Sequence, residues 1–232
     1  MTRERDELEE PVTIPTDGVE LEGSFAAPRG AKGLVLFAHG SGSSRRSPRN
    51  RFVARALRER GLATLLLDLL TSEEEAEDAD GWYRFDIPLL ARRLGGAAEW
   101  LRAHGPAEGR LPLGLFGAST GAAAALVAAA QLPEEIHAVV ARGGRPDLAR
   151  ASLGSVRAPT LLIVGGEDRR VLGLNCEALA VLTTPKELAI VPGATHLFEE
   201  PGALERVARL AGDWFVRHLA PELEEVRRHA HG

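Results

Sequence analysis

The stretch Leu113–Gln131, LGLFGASTGAAAALVAAAQ, joins a short apolar run to an alanine-rich segment through Gly117-Ala118-Ser119-Thr120-Gly121. Leu113 to Phe116 has the length and composition of a buried strand, and the segment from about Thr120 to Ala130 reads as a helix. A G-x-S-x-G sequence set between a strand and a helix forms a nucleophile elbow. The turn is tight enough to force Ser119 into a strained backbone conformation, and bulk at either glycine would collide with neighbouring backbone. In return the Ser119 hydroxyl stands clear of the sheet at a helix N-terminus, where the dipole favours developing negative charge.

The strand-then-helix pattern repeats outward from this turn. On the N-terminal side, Gly33 to Ala38 (GLVLFA) is followed by helical spacing from Pro48 to Arg60, with Phe52, Val53, Ala56 and Leu57 on one face. Strand-like Ala63 to Leu67 leads to an acidic loop, Ser72 to Asp80, and a long helical pattern from about Ile87 to Ala103. On the C-terminal side come strand Ile136 to Ala141, an irregular stretch to Ala158 with a short helix near Pro146 to Ala151, and strand Thr160 to Val164. A helix near Leu172 to Leu182, strand Glu187 to Val191 and a last helix from Gly202 to His218 complete the series. Two further strands, Val12 to Thr16 and Val19 to Ala27, are joined by the turn signal Asp17-Gly18. The alternation predicts an α/β fold: a doubly wound, mostly parallel, eight-stranded sheet with helices on both faces and an antiparallel hairpin at one edge. The longest irregular stretches are loop-sized, so no large cap domain is expected and the cleft should be open.

A chain of 232 residues fits one such domain, assigned to 11–220, between a charged leader at 1–10 and a charged tail at 221–232. Apolar residues make up 44% and charged residues 26%, and no run approaches eighteen apolar positions, so a soluble protein without a membrane span is expected. The net charge of −5 offers no general attraction for nucleic acid. The single cysteine, Cys176, excludes an internal disulfide and a Cys-based zinc site, and its place in a helical pattern reads as a small buried apolar residue. The leader lacks a signal-peptide run, which points to the cytoplasm. Neither a P-loop nor G-x-G-x-x-G is present, so nucleotide binding has no support. The pattern leaves monomer and homodimer open.

A serine hydroxyl needs a positioned base, and the base an orienting acid. Asp168 follows Thr160 to Val164 in Gly165-Gly166-Glu167-Asp168, and His196 follows Glu187 to Val191 in Pro192-Gly193-Ala194-Thr195-His196. Both lie beyond the C-terminal ends of parallel strands, the edge that also carries Ser119 and binds ligands in such sheets. His196 is assigned as the base and Asp168 as its orienting acid, with Glu167 and Asp68 as rival acids. The oxyanion hole is assigned to the backbone N–H of Thr120 and of Ser41, with Gly42 as fallback, in the glycine-rich loop after Gly33 to Ala38. His39 is expected to hold that loop by hydrogen bonding.

The segments HGSGSSR at 39–45, GASTG at 117–121, GGED at 165–168 and GATHLFEE at 193–200 together resemble the α/β-hydrolase fold and its dienelactone hydrolase-like family, from about Val19 to His218. The resemblance implies hydrolysis of small esters or lactones through an acyl-enzyme at Ser119, with no metal or organic cofactor. The family's namesake enzymes carry a cysteine nucleophile, whereas this elbow has Ser119 and Cys176 lies elsewhere. A thioesterase or acyl transferase with the same residues, and a non-catalytic binding protein on the same fold, are the alternatives. Arg45, Arg46, Arg49, Arg142, Arg145, Arg169 and Arg170 lie on loops at the same edge, and Arg142 and Arg145 are the candidates for holding an anionic substrate.

Overall fold

A computed structural model describes residues 9–104 and 111–220. The eight strands are β1 (Glu10–Thr16), β2 (Val19–Ala26), β3 (Gly33–Ala38), β4 (Leu62–Leu67), β5 (Leu113–Ala118), β6 (Ile136–Arg142), β7 (Thr160–Gly165) and β8 (Lys186–Val191). They form one sheet in the order β1-β2-β4-β3-β5-β6-β7-β8. β1 and β2 pair antiparallel, as do β2 and β4, and every other pairing is parallel. The helices are α1 (Pro48–Arg58), α2 (Ser72–Glu77), α3 (Ile87–His104), α4 (Thr120–Gln131), α5 (Arg169–Val181) and α6 (Ala203–Leu219). Two short 3-10 turns, Pro146–Ala149 and Leu153–Ser155, follow β6.

The apolar runs become central strands because both of their faces are covered. All six residues of β3, β4, β5 and β7 are buried, and alternate side chains of each enter opposite cores. Leu34 and Leu36 of β3 join the core shared with α3, α4 and α5, while Val35 and Phe37 join that of α1 and α6. α4 is the most enclosed of the six helices, and its alanines combine high helix propensity with little bulk against the sheet. β8 forms an outer edge and carries Lys186 and Glu187 exposed, charges that discourage further strand pairing.

The register fixes where the loops emerge. Ala38 pairs with Gly117, Ala118 with Arg142, and Gly165 with Val191. The loops after β3, β5, β6, β7 and β8 therefore leave one edge of the sheet. The chain order reverses between β3 and β5, and such a switch opens a crevice at the strand C-termini.

Three expectations change. The acidic segment Ser72 to Asp80 is not simply a loop, since Ser72–Glu77 is α2. It has no buried residue and hence no apolar period, but Thr71 Oγ1 accepts from the Glu74 N–H (3.2 Å) and Glu74 accepts from the Thr71 N–H (2.9 Å), a capping box. The leader is shorter than assigned, because Glu10 begins β1 and Glu9 contacts Arg51 and Arg58; residues 1–8 and the tail at 221–232 lie outside the described residues. Cys176 is exposed, because α5 buries Val171, Asn175 and Ala178 and Cys176 lies a step off that stripe. Among the described residues no helix is long and apolar enough to cross a membrane.

Glu74 also receives both terminal nitrogens of Arg93 at 2.6 Å, which ties α2 to α3. The Arg93 hydrogen bonds hold the Glu74 carboxyl below its ordinary range, assisted by the Thr71 N–H and opposed by burial. A depressed carboxylate adds stability above the unfolded value near 4.5 and loses it as pH falls through the lower folded value. Glu74→Gln is expected to cost about 3 kcal/mol at pH 7, because it strands the buried Arg93. It should also flatten the stability loss below pH 4.5, as read from urea midpoints across pH.

Candidate active site

Ser119 adopts φ 51° and ψ −118°, a conformation that side-chain-bearing residues rarely hold. Neighbouring backbone fixes it. The Ser119 N–H donates to the Arg142 carbonyl (3.1 Å), and the Ser119 carbonyl accepts from the N–H groups of Ala122 and Arg145 (3.1 Å each). Its hydroxyl makes no capping bond to α4, so it is not consumed by the helix it precedes. Both elbow glycines are obligatory. A Cβ on Gly117 would lie 2.4 Å from the Ala122 Cα, and one on Gly121 only 2.3 Å from the carbonyl oxygens of Ala38 and His39. Gly121→Ala is expected to lower unfolding free energy by about 3 kcal/mol, measured by urea denaturation, since backbone rather than a pliant side chain must give way.

Asp168 and His196 meet across two loops. A Cβ on Gly165 would lie 2.3 Å from the Ala194 carbonyl oxygen and 2.6 Å from that of Thr195, so this glycine lets the two turns touch. The Glu167 N–H donates to the Ala194 carbonyl at 3.0 Å, and the Asp168 Oδ2 lies 2.6 Å from His196 Nδ1. Asp168, not Glu167, therefore reaches the imidazole. Asp68 is committed to Arg45 on the other side of the crevice. The side chain of His196 is 40% exposed and that of Asp168 14%, so the ring is open to solvent while its partner is shielded.

The loop between β6 and the first 3-10 turn links this pair to the elbow. Arg142 and Arg145 bind Ser119 through backbone, and between them Gly143 lies against the His196 ring, where a Cβ would stand 3.4 Å from the imidazole Cε1. No hydrogen bond joins Ser119 Oγ to the ring among the described residues. Such contacts commonly tighten only with substrate bound.

The loop after β3 packs on the elbow from the other side, with a Cβ on Gly40 lying 3.0 Å from Ser119 Cβ. His39 holds it as expected: Nε2 accepts from the Leu69 N–H (3.0 Å), so Nδ1 carries the proton donated to the Gly40 carbonyl (2.9 Å). The Ser41 N–H donates to Thr120 Oγ1 at 2.8 Å, and Thr120 is buried. The two candidate oxyanion donors thus sit side by side, with the Ser41 N–H engaged by the neighbouring hydroxyl. Beside them is a cavity of about 320 Å³, walled by residues 39–44, Leu69, Leu70, Leu90, Glu75, Arg84 and Thr120. Sequence reasoning did not find the walls from α2, α3 and the loop after β4; the capping box at Thr71 was the available signal.

The arginines do not converge on this cavity. Arg45 pairs with Asp68 and Glu22, and Arg49 with Glu199. Arg145 donates twice to Asp147 at 2.8 Å, which holds that carboxyl below its usual value. Arg142 is buried, with its guanidinium 5.8 Å from the Phe198 ring centroid and 3.4 Å from Asn50 Oδ1. Burial, together with the positive charge of Arg49, pushes Arg142 down to about 10. Among the described residues no cluster of His, Cys, Asp or Glu could hold a metal ion.

A doubly wound sheet with a strained serine elbow at its switch point defines an α/β hydrolase. The chain is 58% identical to a dienelactone hydrolase from Anabaena variabilis whose crystal structure superposes with a TM-score of 0.88, covering 91% of this chain and 98% of that one. It belongs to the dienelactone hydrolase family. Est1E from Butyrivibrio proteoclasticus (16% identity, 89% of this chain and 98% of that one, TM-score 0.73) shares the fold. So does a dienelactone hydrolase-like promiscuous phosphotriesterase from metagenomic libraries (18%, 91% and 98%, TM-score 0.72). Proteins from two strains of Mycobacterium tuberculosis, which bear the provisional name phosphoribosyl transferase, are 58% identical over 211 residues. That match covers 91% of this chain but 47% of theirs, so the chain spans about half the length of these curated relatives. No family model matches the sequence.

Proposed function

We propose that the chain is a serine hydrolase of small carboxylic esters or lactones. Ser119 Oγ attacks the carbonyl carbon while His196 takes its proton, and the tetrahedral intermediate collapses to an acyl-enzyme as His196 returns that proton to the departing alcohol. Water then attacks the acyl carbon with His196 again as base, and the carboxylic acid leaves as Ser119 regains its proton. Asp168 fixes the imidazole tautomer and stabilises the imidazolium. The N–H groups of Thr120 and Ser41 receive the oxyanion, which requires the Thr120 hydroxyl to turn aside and release the Ser41 N–H.

The observation that carries this reading is the 2.6 Å Asp168–His196 pair at the sheet edge that also holds the strained, uncapped Ser119. Its family membership supports hydrolase chemistry in general. The transferase name of the Mycobacterium proteins is given to chains about twice as long, and nothing in this elbow or its cavity favours transfer of a phosphoribosyl group. A serine-directed fluorophosphonate tests the proposal. Stoichiometric labelling of the folded protein, mapped by peptide mass to Ser119, is expected; no label, or label elsewhere, would overturn it.

A further inference from the structure

We propose that the cavity beside the elbow selects substrates whose distal group is neutral or cationic and disfavours carboxylates, with Glu75 setting the preference. This deepens the ester-hydrolase reading and rests on it. The residues bordering the cavity carry several charges, and the question is which of them a substrate would feel. Arg84, in the wall, is neutralised by Asp78: its Nε donates to the Asp78 carboxylate at 2.6 Å and a terminal nitrogen donates to the Asp78 carbonyl at 2.5 Å. Arg93 and Arg45, the nearby cations of α3 and of the loop after β3, are paired with Glu74 and with Asp68 and Glu22. Each positive charge is met by a carboxylate within ion-pair distance, so none faces a substrate as an uncompensated cation.

Glu75 is different. It lines the same cavity from α2, its side chain is exposed, and no cation or hydrogen-bond donor meets it among the described residues. It follows Glu74 in α2; Arg93 holds the Glu74 carboxylate, whereas Glu75 lies in the cavity wall. The apolar floor of Leu69, Leu70 and Leu90 suits a hydrocarbon chain of a few carbons, which would carry its end group toward Glu75. The exposed arginines of this edge that lack a carboxylate bond, Arg46, Arg169 and Arg170, do not line the cavity. A carboxylate at this rim acts through water, so its effect on selection should be modest, about three- to tenfold, and should fade with salt.

The test compares kcat/KM for three phenyl esters whose acyl chains end in trimethylammonium, tert-butyl or carboxylate. At low ionic strength the order cationic, neutral, anionic is expected, with about three- to tenfold between the extremes. The ratio should contract in 0.5 M salt and in Glu75→Gln, and invert in Glu75→Lys. A carboxylate ester turned over as fast as the neutral one, or a ratio unmoved in both variants, would overturn the proposal. Binding of the same esters to the Ser119→Ala protein, followed by NMR, reads the preference without turnover. If no ester is hydrolysed by the unaltered protein, the hydrolase reading fails while the binding order still decides the charge preference; a reversed order or no binding would sink it.

Discussion

Ester hydrolysis by the Ser119→Ala protein is expected to fall at least about 10³-fold in kcat, with KM little changed. The size follows from what is removed. The variant retains the cavity and both proposed oxyanion donors but has no atom that can accept the acyl group, so only positioning and electrostatic stabilisation of attacking water remain. Its stability should stay within about 0.5 kcal/mol of the parent, because the hydroxyl caps nothing in α4 and alanine inherits the same backbone strain. Turnover numbers and urea midpoints on the same preparations check both halves. Activity near the parent level would place the chemistry elsewhere.

The second large effect concerns Asp168→Asn, for which kcat should drop by about 10²- to 10⁴-fold. The carboxylate lies 2.6 Å from His196 Nδ1, where it accepts a proton from that nitrogen and, in the neutral ring, leaves Nε2 for the proposed role of base. An asparagine can turn its amide NH₂ toward Nδ1, which reverses the tautomer and presents a protonated Nε2 to the serine. Asp168 precedes α5 but makes no side-chain capping bond, so the variant should remain folded. Glu167→Gln is the control. That side chain is exposed and does not meet the ring, and its rate should stay within about twofold of the parent. A matching loss in both variants would mean that the turn as a whole, rather than the carboxylate at Asp168, matters.

What the sequence reveals and what it hides follow a physical division. Gly117 to Gly121 was legible because its chemistry is local: one tight turn, two glycines and an alanine-rich helix determine each other within five residues. Asp168 and His196 were legible because a parallel sheet sends every strand C-terminus to one edge, so chain order alone brings them to the same side. The arginines show the converse. Arg49 finds Glu199, and Arg45 finds Asp68 and Glu22, across strand crossovers that no local pattern encodes, and these pairings decide whether a guanidinium is available to a substrate. Helix α2 lacks the apolar period on which helix reading depends, since its stability comes from Thr71, Glu74 and Arg93 rather than from a buried face. Cys176 has apolar neighbours in sequence but falls just outside the buried stripe of α5, a distinction of one helical step.

The left-handed backbone at residue 119 sets heat tolerance against turnover at a single codon. Glycine adopts φ near +51° with far less penalty than serine, so a chain carrying Ser119→Gly should outlast its parent on warming while losing the proposed nucleophile. Directed evolution that rewarded survival alone would drift toward that inert form, and only a screen demanding product release would hold the serine in place.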